Sequence, residues 1–210
     1  MPDPQIVFSA GTHTYEVDGK VRRSVTQVIE GVCPFRGKGE TVELAADFGH
    51  ALHLALAFLD RGTLDQYDPQ LEPWIEGWRR FLADLPALSE KYCRVLVDIK
   101  SGHVSPTWPI QLAGYEIGSA DWVGTETIVE RMFYNERFDF AGTVDRVYFG
   151  QGRKDRRFCV QLTGSGDWKK HESKEPIEME KNIFLSMLNV ERWKRNHNLT
   201  RKDVDYGPGN

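Results

Sequence analysis

The chain has 210 residues, of which 40% are hydrophobic, 11% aromatic and 28% charged, and its formal net charge is −4. A chain of this length buries roughly 70% of its extended surface on folding, which is enough for a full hydrophobic core. No apolar stretch reaches the ~18 residues that a membrane helix needs, and the first residues lack the apolar core of a signal peptide. We therefore expect a globular protein rather than a membrane-spanning, disulfide-rich secreted or disordered one.

The three cysteines, Cys33, Cys93 and Cys159, are far apart in the sequence. Their odd number argues against a disulfide framework, and none of them has the C-x-x-C spacing of a zinc site. Free thiols are typical of a reducing compartment, so we expect an intracellular protein.

Turn, cap and periodicity signals divide the chain into helices and strands. In the N-terminal part they predict a hairpin at 6–18 with a turn at Asp18–Gly19, a helix that Ser24 caps and that ends at Gly31, and helices at 41–61 and 69–84. A strand at 93–101 and a helix at 110–117 follow. The remaining predicted elements are strands at 125–134, 138–149 and 157–163 and a helix at 178–196. We expect a single α/β (α+β) domain over 1–210, with a central mixed sheet of about four strands between helices. Residues 1–35 would add a hairpin and short helix, and 197–210 a flexible tail.

An acidic and a basic residue stand at the end of the apolar strand predicted at 93–101. Asp98 and Lys100 are two residues apart, so their side chains point to the same side of the strand. Burying either side chain costs free energy unless the charge is paired or bound to a ligand. The pair is a candidate site, and the alternative is a local ion pair where the strand meets water.

A second acidic residue, Asp145, lies within a predicted strand between Val144 and Val147. Gly142 precedes it and would let a ligand or a backbone approach closely. We interpret Asp145 as a candidate site residue. The alternative is an edge-strand aspartate that pairs with Arg146 or another neighbour.

Two further pairs lie on predicted helices. His50 and His53 are three residues apart and could face one ion, but their helix lacks the H-E-x-x-H zinc motif. The alternative for His53, which lies beside the apolar face, is a core histidine with satisfied hydrogen bonds. Gln111 and Tyr115 are four residues apart and therefore share a helix face.

Together these residues resemble the PD-(D/E)XK nuclease superfamily, and within it the RecB-like and phage-encoded exonucleases. Four motifs carry the resemblance: G-x-x-x-H at Gly49 to His53, GTVDRV with Asp145, DIKSG with Asp98 and Lys100, and Q-x-x-x-Y with Gln111 and Tyr115. The opening THTYEVDGKVRRSVTQVI and the closing stretch from LTGSGDWKK to FLSMLNVERWKRNHNL are similar to phage proteins of this group, so the resemblance covers nearly the whole chain. It implies a restriction-endonuclease-like core.

The motif order departs from that family. There the GTVD strand normally precedes the D-x-K strand and the Q-x-x-x-Y helix, whereas here the block 92–117 precedes the block 120–158. Gly118–Ser119 lies at the junction of the two blocks. We hypothesise a rewired, natural or engineered, connectivity that keeps the same strands side by side, which requires the strands of Asp98 and Asp145 to be neighbours.

The resemblance implies a metal-dependent deoxyribonuclease of the phage exonuclease type, acting in recombination or DNA processing. Asp98, Asp145 and the Ile99 carbonyl would supply oxygen ligands suited to Mg²⁺ or Mn²⁺, and the implied ligand His53 would favour Mn²⁺. Lys100 would orient the attacking water or stabilise the developing charge, with Gln111 and Tyr115 positioning Lys100 or the phosphodiester. Glu130 is a candidate outer-sphere or second-metal carboxylate, and its alternative is an ordinary exposed strand residue.

The resemblance also implies partners and a compartment. The substrate would be linear duplex DNA or its ends, and a homo-oligomer and a single-strand-annealing recombination partner are compatible with this group of proteins. No membrane is involved, and the compartment is the cytoplasm of a bacterial or phage-infected cell.

Local basic segments are the candidates for DNA contact, because the net charge of −4 is too small and of the wrong sign for a protein that coats nucleic acid. The candidates are Arg153, Lys154, Arg156 and Arg157 in a predicted turn, and Trp193, Lys194, Arg195 and Lys202 near the end of the chain. Trp193 could stack on a base. The alternative for each is a solvated surface residue.

Two other classes of function stay open. The first is a DNA-binding or structural module that keeps the nuclease fold without turnover, because a shift of ~1 Å in catalytic geometry can cost about a hundredfold in rate. The second is an α/β domain whose acidic, lysine and histidine residues are incidental. Metal binding and turnover separate these possibilities from an active nuclease.

Overall fold

The chain folds into a mixed sheet with helices on both faces. The computed structural model describes residues 4–9, 14–34 and 40–199. The strands in these ranges are β1 (Ile6–Ser9), β2 (Thr14–Val17), β3 (Lys20–Ser24), β4 (Arg94–Lys100), β5 (Ile128–Asn135), β6 (Phe140–Phe149), β7 (Asp155–Leu162) and β8 (Trp168–His171). The helices are α1 (Val25–Val32), α2 (Glu40–Asp60), α3 (Glu72–Ser89), α4 (Trp108–Gly118) and α5 (Ile177–Asn196), and a 3-10 turn at Pro69–Leu71 precedes α3. The predicted α/β class is confirmed.

The eight strands of the described ranges form one sheet in the order β1-β2-β3-β6-β4-β7-β8, with β5 paired to β6 off this path. The expectation of about four central strands is therefore wrong. The N-terminal hairpin is not a separate addition, because β3 pairs in parallel with β6 at Arg23–Phe140 and Ser24–Ala141. Strand β8 (WKKH) was not predicted, since it is short and polar and shows no apolar alternation.

Strand β6 has one neighbour along one edge and two along the other. β5 pairs with it from Phe140 to Val147, so β3 and β4 must share the opposite edge. β3 pairs with Phe140 and Ala141, and β4 pairs in antiparallel orientation with the segment from Arg146 to Phe149. Along this edge of β6, residues 142–145 lie between these two partners, and the candidate residue Asp145 stands at the end of that interval.

Strand β4 lies between β6, with which it is antiparallel, and β7, with which it is parallel. The strands that carry Asp98 and Asp145 are therefore neighbours despite their swapped order in the chain. The adjacency predicted by the rewiring hypothesis is confirmed.

Two hydrophobic clusters form the core, one on each face of the sheet. Helices α2 and α3 cover Val95, Val97 and Ile99 of β4, with Trp78 and Phe81 of α3 among the largest buried side chains. Helices α1, α4 and α5 cover the other face, to which Leu96 belongs. The alternation along β4 explains why residues 95–99 are all buried. No helix of the described ranges is long and apolar enough to cross a membrane.

Local signals at the N-terminus are confirmed. Asp18 and Gly19 both have positive φ, 48° and 76°, as a two-residue turn between twisted antiparallel strands requires. Ser24 caps α1 through a reciprocal pair of bonds with Gln27, of 3.0 and 3.1 Å. At the other end, the predicted tail from residue 200 lies outside the described residues, and Leu199 bonds back to the carbonyl of Lys194 at 2.8 Å.

Candidate metal centre

Three elements bring a histidine and two carboxylates together. One ligand atom each of His53 on α2, Glu130 on β5 and Asp145 on β6 lie within 4.8 Å of one another. The His53 Nδ1 atom is 3.6 Å from Glu130 Oε1 and 3.6 Å from Asp145 Oδ2. An imidazole nitrogen and two carboxylate oxygens are a donor set for a divalent cation.

The backbone of Ile99 contacts two members of this group. Its N–H donates to Asp145 Oδ2 at 2.7 Å, and its carbonyl oxygen lies 3.1 Å from His53 Nε2. A neutral His53 that donates through Nε2 to this carbonyl presents the lone pair of Nδ1 to the two carboxylates. A backbone carbonyl that fixes a histidine tautomer in this way is the usual support of a metal-binding histidine. The Ile99 carbonyl, which the resemblance implies as a ligand, thus lies at the centre as the acceptor of His53.

The backbone of Glu130 adopts an unusual conformation opposite Asp145. The strand register pairs Val129 with Arg146 and Arg131 with Val144, so Glu130 faces Asp145 across β5 and β6. Its φ is 49°, in the left-handed region that few residues other than glycine adopt. Strained backbone of this kind clusters at functional sites. Here it brings the Glu130 carboxylate to the histidine, and Glu130 is no ordinary exposed strand residue.

The fully buried Arg146 forms hydrogen bonds with two residues of the group. Its Nη1 donates to Glu130 Oε1 at 2.9 Å and to the carbonyl of Asp145 at 2.6 Å, while its Nε binds Asp60. The sequence pattern indicated Arg146 only as a possible partner of Asp145, and its contact with Asp60 was not predicted. The signal was an arginine inside an apolar strand, which must find carboxylates if it is buried.

The D-x-K and Q-x-x-x-Y residues form a second, connected chain of contacts. Lys100 Nζ lies 2.9 Å from Asp98 Oδ2 and donates to Gln111 Oε1 at 3.0 Å, and Gln111 donates to the Tyr115 hydroxyl at 2.8 Å. The thiol of Cys159 donates to the same Asp98 oxygen at 3.3 Å. Within the described residues, Asp98 does not belong to the group of His53, Glu130 and Asp145. Lys100 and Cys159 both contact Oδ2 of its carboxylate.

Burial and neighbouring charges shift the pKa values of this region. Burial opposes a charge on His53, but the carboxylates of Asp145 and Glu130 outweigh it and raise the pKa of His53 to about 9. Burial raises the pKa of Asp98 and of Asp145, which also repel each other. Burial disfavours the ionised form of both carboxylates, and a bound cation would favour that form.

A cleft of about 880 Å³ opens beside the group. Its lining includes Tyr15, His50, His53, Glu130, Met132 and Asp145. Tyr15 approaches from the hairpin and its hydroxyl lies 2.8 Å from the Thr143 hydroxyl. His50 lines the cleft but is not part of the group, so the two histidines do not face one ion. Both β2 and α2 therefore contribute walls to a space that reaches the candidate ligands.

The structure corrects the expected position of two of the candidate DNA-contacting residues. Arg157 lies on β7 rather than in a turn, is 6% exposed, and pairs with Glu116 and Glu180. Arg156 is on the same strand and pairs with Glu172. Strand β7 begins at Asp155, two residues earlier than predicted, so Arg156 lies in the strand rather than in the turn before it.

The remaining basic candidates differ in what they contact. Arg153 and Lys154 are exposed in the turn before β7. Lys194 binds the Gly31 carbonyl and Glu191, while Arg195 is half-buried. Trp193 is exposed and its ring lies 4.7 Å from that of His197. Lys202 lies outside the described residues.

Comparison with protein-family models, with curated proteins and with solved structures gave no match.

Proposed function

We propose that this chain is a metal-dependent deoxyribonuclease with a restriction-endonuclease-like core, of the RecB-like or phage exonuclease type, that hydrolyses phosphodiester bonds at the ends of linear duplex DNA. The observation that carries the proposal is the convergence of His53, Glu130 and Asp145 on one point, with Lys100 on the adjacent strand end. Water would add to phosphorus as the bond to the leaving oxygen breaks, and that oxygen takes up a proton.

The donor set fits Mn²⁺ or Mg²⁺. Carboxylate oxygens suit both ions, and the nitrogen of His53 favours Mn²⁺. Burial raises the pKa of Asp98 and of Asp145, and a bound cation would favour their ionised carboxylates. When bound, the ion would polarise the scissile phosphate and activate a water molecule.

The protein's own groups would bind and orient the phosphate. Lys100 keeps its charge, because the attraction of Asp98 and Asp145 outweighs burial and raises its pKa. Gln111 holds the Lys100 ammonium group from the other side at 3.0 Å, and Tyr115 fixes Gln111. A cation held in this way is placed to stabilise charge that develops on the phosphate oxygens without reorganising.

A second candidate function is a DNA-binding module that keeps the fold without turnover. It is favoured by the position of Asp98, whose carboxylate is engaged by Lys100 and Cys159 and lies outside the group of candidate ligands. In the resemblance Asp98 is itself a ligand. Turnover distinguishes the two functions, whereas DNA binding does not.

The test is digestion of linear and covalently closed circular duplex DNA with Mg²⁺, Mn²⁺ or EDTA. We expect metal-dependent loss of the linear form only, and no digestion by Asp145→Asn. The matched control is Asp139→Asn, which changes a carboxylate in the turn before β6 that binds Arg22 and Tyr134 away from the group. Cleavage of the circle would indicate an endonuclease, and no cleavage of either DNA by the folded protein would favour the binding module.

A further inference from the structure

One face of α5 is exposed, uncharged and partly apolar. Met179, Ile183, Val190 and Trp193 are 47%, 37%, 41% and 54% exposed. With the exposed Ser186 they recur at spacings of four and three residues, and we call these five residues the α5 seam. Such spacing keeps side chains in one line along a helix and is the pattern of helices that pack against a second helix. An exposed helix face normally carries charged residues instead.

Asparagines accompany the seam. Asn182, Asn189 and Asn196 are exposed and lie seven residues apart, in one line beside it. An asparagine amide both donates and accepts hydrogen bonds, so a row of them is complementary to a second copy of itself. The Ser186 hydroxyl is turned inward, where it donates to the carbonyl of Asn182 at 2.8 Å. The side chain at the middle of the seam is therefore small, and its hydroxyl is already hydrogen-bonded within the helix.

The charges of α5 favour an antiparallel partner helix. Its first turn carries the exposed Glu178, and its last turn carries the half-buried Lys194 and Arg195. Two parallel copies would bring like charges together at both ends, whereas two antiparallel copies bring acidic and basic ends together. The opposed helix dipoles add to this preference.

Side-chain volumes favour the same orientation. A parallel pair would place Trp193 against Trp193 and leave the small Ser186 against Ser186. An antiparallel pair that is centred near residue 188 sets Trp193 beside Ile183 and Ser186 beside Val190 of the second copy. It also sets Asn182 beside Asn196, and Asn189 beside Asn189, across the twofold axis. Large residues that meet small ones fill space better than large residues that meet each other.

From these features we infer that the α5 seam is the interface of a twofold-symmetric homodimer in which the two α5 helices pack antiparallel. A groove of about 570 Å³ between the seam and Val32 of α1 extends the surface. A helix of this length is about 30 Å long, so the interface falls at the low end of specific interfaces, below about 1,200 Å². We expect a dimer that dissociates in the micromolar range, independently of any activity at the metal centre.

Sedimentation velocity between about 1 and 200 μM tests the interface. The unmodified chain should change from monomer to dimer over this range, and Ile183→Glu should weaken the dimer by more than about tenfold by burying an unpaired charge at the seam. Val123→Glu is the matched control, since Val123 is an exposed valine outside α5. Circular dichroism melting at the lowest concentration shows that each variant is folded. A chain that stays monomeric throughout, or a dimer that Ile183→Glu leaves intact, overturns the inference.

Cysteine cross-linking tests the orientation in a background where the exposed Cys33 and the half-buried Cys93 are serine. Mixing Ile183→Cys with Trp193→Cys under mild oxidation should give a covalent dimer that contains one chain of each. Each variant alone should cross-link far less. Parallel packing predicts the reverse, and equal yields in all three samples would indicate random collision. Either result overturns the antiparallel arrangement.

Discussion

The backbone N–H of Ile99 donates to Oδ2 of Asp145 at 2.7 Å, while the Ile99 side chain is fully buried in the core beneath α2 and α3. The carbonyl oxygen of the same residue accepts a hydrogen bond from His53. The packing of one apolar side chain therefore sets the positions of two candidate ligands. The position of β4 against β6 controls the geometry of the whole centre.

The ligand set is open to direct measurement, because the geometry and the family resemblance disagree on one carboxylate. Glu130 belongs to the group and Asp98 does not. We expect Glu130→Gln to weaken Mn²⁺ binding by more than about tenfold, since it removes one negative oxygen from the group. Asp98→Asn should weaken it less. Isothermal titration calorimetry with Mn²⁺ measures both affinities.

Melting temperatures of the two variants without metal provide the control for folding, because Glu130 also binds Arg146. A Glu130→Gln protein that binds Mn²⁺ normally, next to an Asp98→Asn protein that does not bind it, would contradict this assignment. That outcome would restore the ligand set that the resemblance implies.

The pair of Asp98 and Lys100 should be strongly coupled in stability. Lys100→Met leaves the buried Asp98 carboxylate without its cation, and we expect a loss of about 3 kcal/mol in the free energy of unfolding. Adding Asp98→Asn to that variant should recover part of the loss, because the unpaired charge is removed. Urea unfolding of both single variants and the double variant measures the coupling. Purely additive effects would show that the two groups do not interact.

Without metal, stability should fall as the pH rises from 6.5 to 9. The pKa of His53 is raised to about 9 against Asp145 and Glu130, despite burial and the repulsion of Lys100, so the folded state binds this proton more tightly than the unfolded state. The resulting stabilisation is complete below about pH 6.5, declines through the interval and is absent above about pH 9. Urea unfolding midpoints in EDTA at several pH values measure the slope.

His53→Gln should flatten that slope, and His50→Gln is the matched control because His50 is an exposed histidine of the same helix. If the slope persists in His53→Gln, another group is responsible. If both variants lose it, the effect does not arise from the contact between His53 and the two carboxylates.

Gly118 at the junction between the two motif blocks should not tolerate a side chain. A Cβ atom there would lie 1.9 Å from Cε2 of Phe133, so α4 would have to move away from β5. We expect Gly118→Ala to cost about 1–3 kcal/mol of stability, as overpacked cores do. Gly102→Ala is the control, because nothing lies within 4 Å of its Cβ position. Equal melting temperatures for the two variants would contradict this account.

Sequence signals that depend on a few neighbouring residues predicted the local structure well. The Asp18–Gly19 turn and the Ser24 cap depend on local backbone geometry, and both were predicted. The size of the sheet was not, because it depends on pairs that are distant in sequence. The parallel contact of β3 with β6 joins residues 23–24 to 140–141, and no local pattern specifies it.

The same distinction applies to the candidate site. Spacing predicted that Asp98 and Lys100 share one side of a strand and that Gln111 and Tyr115 share a helix face, and the resemblance implied that the second pair positions Lys100. The four side chains form one chain of contacts, from Asp98 through Lys100 and Gln111 to Tyr115. The environment of Asp98 depends instead on the register of β4 with β7, which places Cys159 directly beside it. The part played by Glu130 depends on its φ of 49° and on its register with Asp145, neither of which the sequence pattern specifies.

The central place of β4 has a consequence for the newly made chain. Residues 95–99 are buried on both faces, and the neighbours of β4 are synthesised only afterwards, β6 ending at Phe149 and β7 at Leu162. At ordinary rates of translation, roughly 3–12 s pass between the synthesis of β4 and the completion of β7, its second partner strand. During that time it is exposed to aggregation on or near the ribosome, and Asp98 and Lys100 would act as charged gatekeepers of the nascent strand before they act in any site.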